Sequence, residues 1–194
     1  MILTYLPEHA ESARTALDLA ERESAHLGYT CNTLYAEAID LAWVKALAER
    51  EDLAEKIDAF VARFGRLQDH IGEKLLPAFA ILLGEQPKSL LDVLGYAERM
   101  GWVEDAEAFI GARKLRNLLV HETMSESELF HAALIAAKPA TEMLFRIVAA
   151  TRAEATMRGV LTQMREKPRP NDLVAKQPLG EAVEFGRGWI ARTP

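Results

Sequence analysis

Residues 53–83 read LAEKIDAFVARFGRLQDHIGEKLLPAFAILL, and this stretch decides the fold. Ile57, Phe60, Val61, Phe64, Leu67, Ile71, Leu75 and Phe79 recur in it at three- and four-residue steps. That spacing marks the single buried stripe of a long helix. The reading predicts one helix from about Leu53 to Leu83, ended by Gly84 and Pro87. Pro77 should kink or split it, because proline lacks a backbone donor and clashes with the turn before it.

The same helical pattern extends outward in both directions. A first helix is expected from Pro7 to Leu27, with Gly28 as its stop, and a second from about Asn32 to Ala48. Downstream, Ser89 with Asp92 three residues on signals the start of a short helix that Gly101 ends. A further helix should run from about Glu104 to His121. Ser125-Glu126-Ser127-Glu128 forms a capping box for a last helix reaching about Arg165, bent at Pro139. The expectation is an all-α protein, an antiparallel helical bundle over residues 1–165. Residues 166–194, rich in proline and glycine, form a less regular C-terminal tail, although Val183, Phe185, Trp189 and Ile190 make it more apolar than a merely solvated one.

Composition limits the function. The chain has 194 residues, enough for one well-buried core. Cys31 is the only cysteine, which excludes an intrachain disulfide and a multi-cysteine metal site. No apolar run approaches the roughly 20 residues that cross a bilayer. The N-terminus turns acidic too soon for a secretory signal, so a cytoplasmic protein without membrane partners is expected. The net charge of -6 argues against broad, non-specific nucleic-acid binding. The acidity is uneven, however: residues 1–60 hold twelve Asp/Glu against five Lys/Arg, so the remainder is nearly neutral and has room for a local basic site.

Such a site is found in residues 104–123, EDAEAFIGARKLRNLLVHET. At roughly 100° per residue, Ala108, Ala112, Leu115, Leu118 and Leu119 share an arc, the expected core face. Arg113, Lys114, Arg116, Asn117 and His121 fall on the other side. Asn117 is one turn from both Arg113 and His121, so these side chains are neighbours. Arg offers a planar fork for phosphate oxygens, and His titrates near neutral pH and can pass a proton. Asn can orient the imidazole or a ribose hydroxyl. An RNA strand supplies its own nucleophile, the 2′-OH, so such a site can work without metal or cofactor. The helix dipole alone also favours cations at this end, so the bland reading stands beside the catalytic one. Ile110, Val120 and Met124 share the polar side, as on a face that meets another surface.

The stretch FVARFGRLQDHIGEKLLPAF, followed by SLLDVLGYAERMGWVEDAEAFIGARKLRNLLVHE, resembles the HEPN family, helical bundles marked by an Arg, often a polar residue next, and a His after four to six residues. Arg116-Asn117 and His121 fit, with four residues between Arg and His. The preceding Arg63 to Lys74 segment looks like the branch encoded beside a minimal nucleotidyltransferase. The resemblance implies a toxin that cleaves RNA without metal, with Arg116, Asn117 and His121 catalytic. It also implies restraint by a minimal nucleotidyltransferase antitoxin and a homodimer in which two such sites share one cleft. Many relatives carry a modifiable Tyr two residues after the His, whereas this chain has Thr123. The alternative is a non-catalytic nucleotide- or substrate-binding subunit partnering a nucleotidyltransferase.

Arg63, Arg66, Gln68, Asp69 and Lys74 are expected either to line the same cleft or to form a solvated face. Arg66 joins Arg113 and Lys114 as a candidate RNA or phosphate contact. His9, His26 and His131 read as ordinary surface or packing residues, Trp43 and Trp102 as core, and Cys31 as a small buried apolar group.

Overall fold

A computed structural model describes residues 4–121 and 127–161. Among the described residues there is no strand: the protein is an all-helical bundle. A single 3-10 turn, Pro7–His9, leads into α1 (Ala10–Leu34). Then follow α2 (Leu41–Lys45), a 3-10 turn (Ala46–Glu49), α3 (Glu51–His70), a π-helical turn (Ile71–Leu75) and α4 (Leu76–Leu82). The series ends with α5 (Leu90–Arg99), α6 (Ala106–His121) and α7 (Ser127–Met157). Residues 166–194, Arg165 and the Ser125 capping position lie outside the described residues, as do Glu122, Thr123 and Met124.

Helix α3 is the spine of the bundle. Its stripe Ile57, Phe60, Phe64 and Leu67 is buried as the spacing predicts, whereas Val61 is only partly buried at the stripe's edge. The most extensive helix pair is α1 on α3, and α6 packs on both α3 and α7. Phe60 stacks on Phe64 at 5.9 Å between ring centres, and Tyr35 meets Phe60 edge-on at 5.7 Å. Both Phe residues are fully shielded from water. Burying a residue of that size contributes about 1.5–3 kcal/mol.

The helix is not split at Pro77. It continues from Glu51 to Leu82 through the π turn that precedes the proline. Leu67, Ile71, Leu75 and Phe79 are all fully buried although each follows the last by four residues. In an α-helix of 3.6 residues per turn every such step overshoots by roughly 40°. The wider π turn absorbs the overshoot and gives the proline ring room on the helix. Glycines stop helices here only where the backbone turns left-handed, at Gly84 (φ 89°) and Gly101 (φ 72°).

Two expectations need correction. Gly28 does not stop α1, which runs on to Leu34, because Gly28 keeps a helical backbone with Phe145 packed near it. The helix expected from Asn32 to Ala48 is consequently absent. Residues 35–40 form a turn instead, pinned by tertiary bonds that no local pattern reveals: Tyr35 donates its hydroxyl to the Leu134 carbonyl at 2.7 Å, and the His131 ring meets the Ile39 carbonyl at 2.9 Å. Asp40 then caps α2 by accepting from the Trp43 N–H at 2.7 Å. The Ser89 cap forms as expected, accepting from the Asp92 N–H at 3.1 Å, while Asp92 accepts from the Lys88 N–H. Helix α7 passes through Pro139 without interruption.

Candidate functional site

Helix α6 begins where Asp105 accepts from the Ala108 N–H at 3.0 Å, and its last residue is His121. Its buried arc is not the predicted one. Phe109, Ala112 and Leu119 are buried, whereas Ala108 is exposed and Leu118 is 37% exposed. On a wheel of roughly 100° per residue this rotates the core arc by about 60° from the expected Ala/Leu face. The cause is Phe109, whose ring fills the space beside Gly72 of the π turn. Ile110, expected on the exposed strip, instead packs partly buried against the core, and Val120 alone of the described strip is half exposed.

The rotation moves Arg116 from the solvent face to the edge of the α3 contact. Its side chain lies across Gly65 of α3, so close that a Cβ built there would stand 2.9 Å from Arg116 Nε. Gly65 is therefore a notch that admits the arginine stem. At the far end of that stem, Arg116 Nη2 donates to Asp69 Oδ2 at 3.4 Å, and Nη1 donates to Asn117 Oδ1 at 3.4 Å. One turn along α3, Glu73 pairs with Arg113 at 3.7 Å. Two carboxylates spaced by one turn on α3 thus face two guanidiniums on α6. Asn117 and Lys114 are exposed beside them. The structure brings together Arg113, Arg116 and Asn117. His121 follows one turn after Asn117 at the helix end, and its side chain lies outside the described residues.

Arg66 does not join this group. It lines a cavity on the α1 side of α3, with Arg63 and His26. Arg63 donates to the His26 carbonyl at 3.0 Å and to the Thr30 hydroxyl, and the His70 ring meets the Ala16 carbonyl at 2.8 Å. Gln68 is buried, and Lys74 is exposed. The expected single cleft lined by Arg63, Arg66, Gln68, Asp69 and Lys74 is therefore divided, and only Asp69 of the five pairs with α6. Glu73 and Gly65 were not foreseen as site residues. The i,i+4 placement of Asp69 and Glu73 was a usable signal, since residues so spaced share a face.

The other singled-out residues have structural roles. Trp102 is buried against Phe79 and Tyr96, and Trp43 packs partly buried on the core. Burial, the largest influence, pushes the Cys31 thiol above its usual range, which keeps it unreactive near neutral pH. Among the described residues no three His, Cys, Asp or Glu side chains gather as metal ligands, and no helix is long and apolar enough to cross a membrane.

The surviving arrangement can clamp an anion. Two guanidiniums and an ammonium stand near the C-terminal end of a rigid helix, with an exposed amide between them and the closing histidine. No family model, no curated protein and no solved structure matches the chain.

Proposed function

We propose that this protein is a metal-independent endoribonuclease toxin of the HEPN type, with Arg116 and His121 as the cleaving pair and Asn117 positioning. The observation that carries the reading is the seat of Arg116. A guanidinium held in a glycine notch and aimed by Asp69 is preorganised to receive phosphate oxygens. Its pair with Asp69 is about a third exposed on each side, so a phosphate can reach it. The imidazole of His121 then serves as the proton carrier for attack by the 2′-OH. Exposed Leu118 and Val120 on the same helix support a second copy of this chain across the site. A minimal nucleotidyltransferase is the partner that the sequence resemblance suggests as antitoxin.

A second reading is favoured by one feature: both Arg113 and Arg116 already have carboxylate partners. Such pairs lower the free positive charge and suit a non-catalytic subunit that assists a nucleotidyltransferase.

Cleavage of single-stranded RNA by purified protein separates the two. Arg116→Ala and His121→Ala are each expected to lose on the order of 10²-fold or more in rate, the range for a lost proton carrier, with unchanged helicity and no effect of chelators. The active preparation should scatter light as about twice the 21.6 kDa chain. Full cleavage by the His121→Ala protein would remove the catalytic reading, and no cleavage by wild type would leave the binding one.

A further inference from the structure

On the opposite flank of α3 a cavity of about 220 Å³ opens between α1 and α3. Its walls are Leu19, Arg22, Glu23, His26, Arg63 and Arg66. At roughly 30 Å³ per water this is the space of about seven waters, room for a phosphate group and a pentose. Three guanidiniums meet one carboxylate there, in a region of sequence that is otherwise acidic.

The arginines are not spent on one another's neighbours. Arg63 is fixed by the His26 carbonyl and the Thr30 hydroxyl. Arg22 makes only a long 3.4 Å bond to the Asp18 carbonyl of its own helix, and Arg66 makes no ion pair among the described residues. The adjacent Glu21 is committed to Arg152 of α7. Like charges gathered without a counter-charge are unfavourable, and a bound anion relieves them. Glu23 adds the second requirement. Its Oε2 is buried and accepts no hydrogen bond, so the wall also holds an unmet acceptor.

We propose that this cavity binds a ribonucleotide, with Arg22 and Arg66 gripping its phosphate and Glu23 accepting from a ribose hydroxyl. An inorganic anion would satisfy the arginines but not the carboxylate, whereas a sugar phosphate satisfies both. The phosphate has two sources, a free nucleotide or an RNA strand, and both present the same ester chemistry. The proposal does not depend on the α6 site being catalytic.

The test is equilibrium binding to the full chain carrying His121→Ala, so that no strand is cut. The probes are 5′-AMP, inorganic phosphate and a single-stranded oligoribonucleotide. The double variant Arg22→Ala/Arg66→Ala should weaken 5′-AMP, the oligonucleotide or both at least tenfold. Glu23→Gln should reduce the preference for 5′-AMP over inorganic phosphate. Arg113→Ala should leave 5′-AMP binding as it was. If the strand is the source, the double variant should also lower the salt slope of oligonucleotide binding by about 1.4, at roughly 0.7 per contact. Binding of 5′-AMP shows a mononucleotide site, and loss confined to the oligonucleotide shows a strand site. Equal binding of both probes by wild type and the double variant, with helicity unchanged, overturns the proposal, as does equal affinity for 5′-AMP and inorganic phosphate.

Discussion

On the flank of α3 that faces α1, Arg63 donates to the His26 carbonyl and the Thr30 hydroxyl, and His70 meets the Ala16 carbonyl at 2.8 Å. On the flank that faces α6, Arg116 and Arg113 meet Asp69 and Glu73 at 3.4 and 3.7 Å. The first set of partners is mostly backbone, fixed by the helix that carries it. The second is made of side-chain carboxylates at the surface, which rotate away and leave donors for another acceptor. One side of the helix therefore uses its cationic side chains as fastenings, and the other presents them for exchange. The same chain of residues Arg63 to Glu73 serves both purposes because successive positions turn by roughly 100°.

Three substitutions test that contrast. The largest effect should come from the fastened side. Leu17 of α1 is fully buried, and Leu17→Ala should cost about 2–5 kcal/mol in urea denaturation, the usual range for an emptied core site. A loss under 1 kcal/mol would mean that the α1 contact is not the mainstay of the bundle.

The second concerns the end of α1. Burial, its largest influence, raises the Tyr35 hydroxyl above its ordinary range, and that hydroxyl donates to the Leu134 carbonyl. A group whose folded value is raised stabilises the fold fully below its unfolded value, near 10 for tyrosine, and loses that contribution as pH climbs further. Wild type should therefore lose stability progressively above pH of about 10. Tyr35→Phe should cost about 0.5–1.5 kcal/mol at pH 7 and show a flatter alkaline limb. Parallel alkaline limbs in the two proteins would break this account.

The smallest effect belongs to the exchangeable side. Asp69→Asn should change stability by no more than about 1 kcal/mol, as exposed ion pairs do, and added salt should erase the difference. A larger loss that persists in salt would make Asp69–Arg116 another fastening and cancel the contrast.

The sequence was readable where one residue's burial depends on its own helix. The stripe from Ile57 to Phe79, the Ser89 cap and the left-handed Gly84 and Gly101 all followed from spacing and backbone preference. It was unreadable where a partner decides. Gly28 resembles a helix stop until α7 is packed near it, and the 35–40 turn is set by carbonyls of Leu134 and Ile39 that bind side chains from far along the chain. For the site, Arg113, Arg116 and Asn117 were correctly grouped. Arg66 was assigned to the wrong flank, and Arg116 to solvent, because no periodicity says which face of α3 meets α6. Gly65 explains both errors, since a missing side chain leaves no hydrophobic mark in the sequence.

The π turn at Ile71–Leu75 makes that segment sensitive to length rather than to composition. Glu73 and Lys74 are exposed and tolerate other polar residues so far as packing is concerned. Insertion or deletion of one residue there would swing Phe79 and Leu82, both fully buried, by roughly 100° out of the core. The segment works as a counted spacer: five residues set the phase between two halves of one helix, and the phase holds the second half inward.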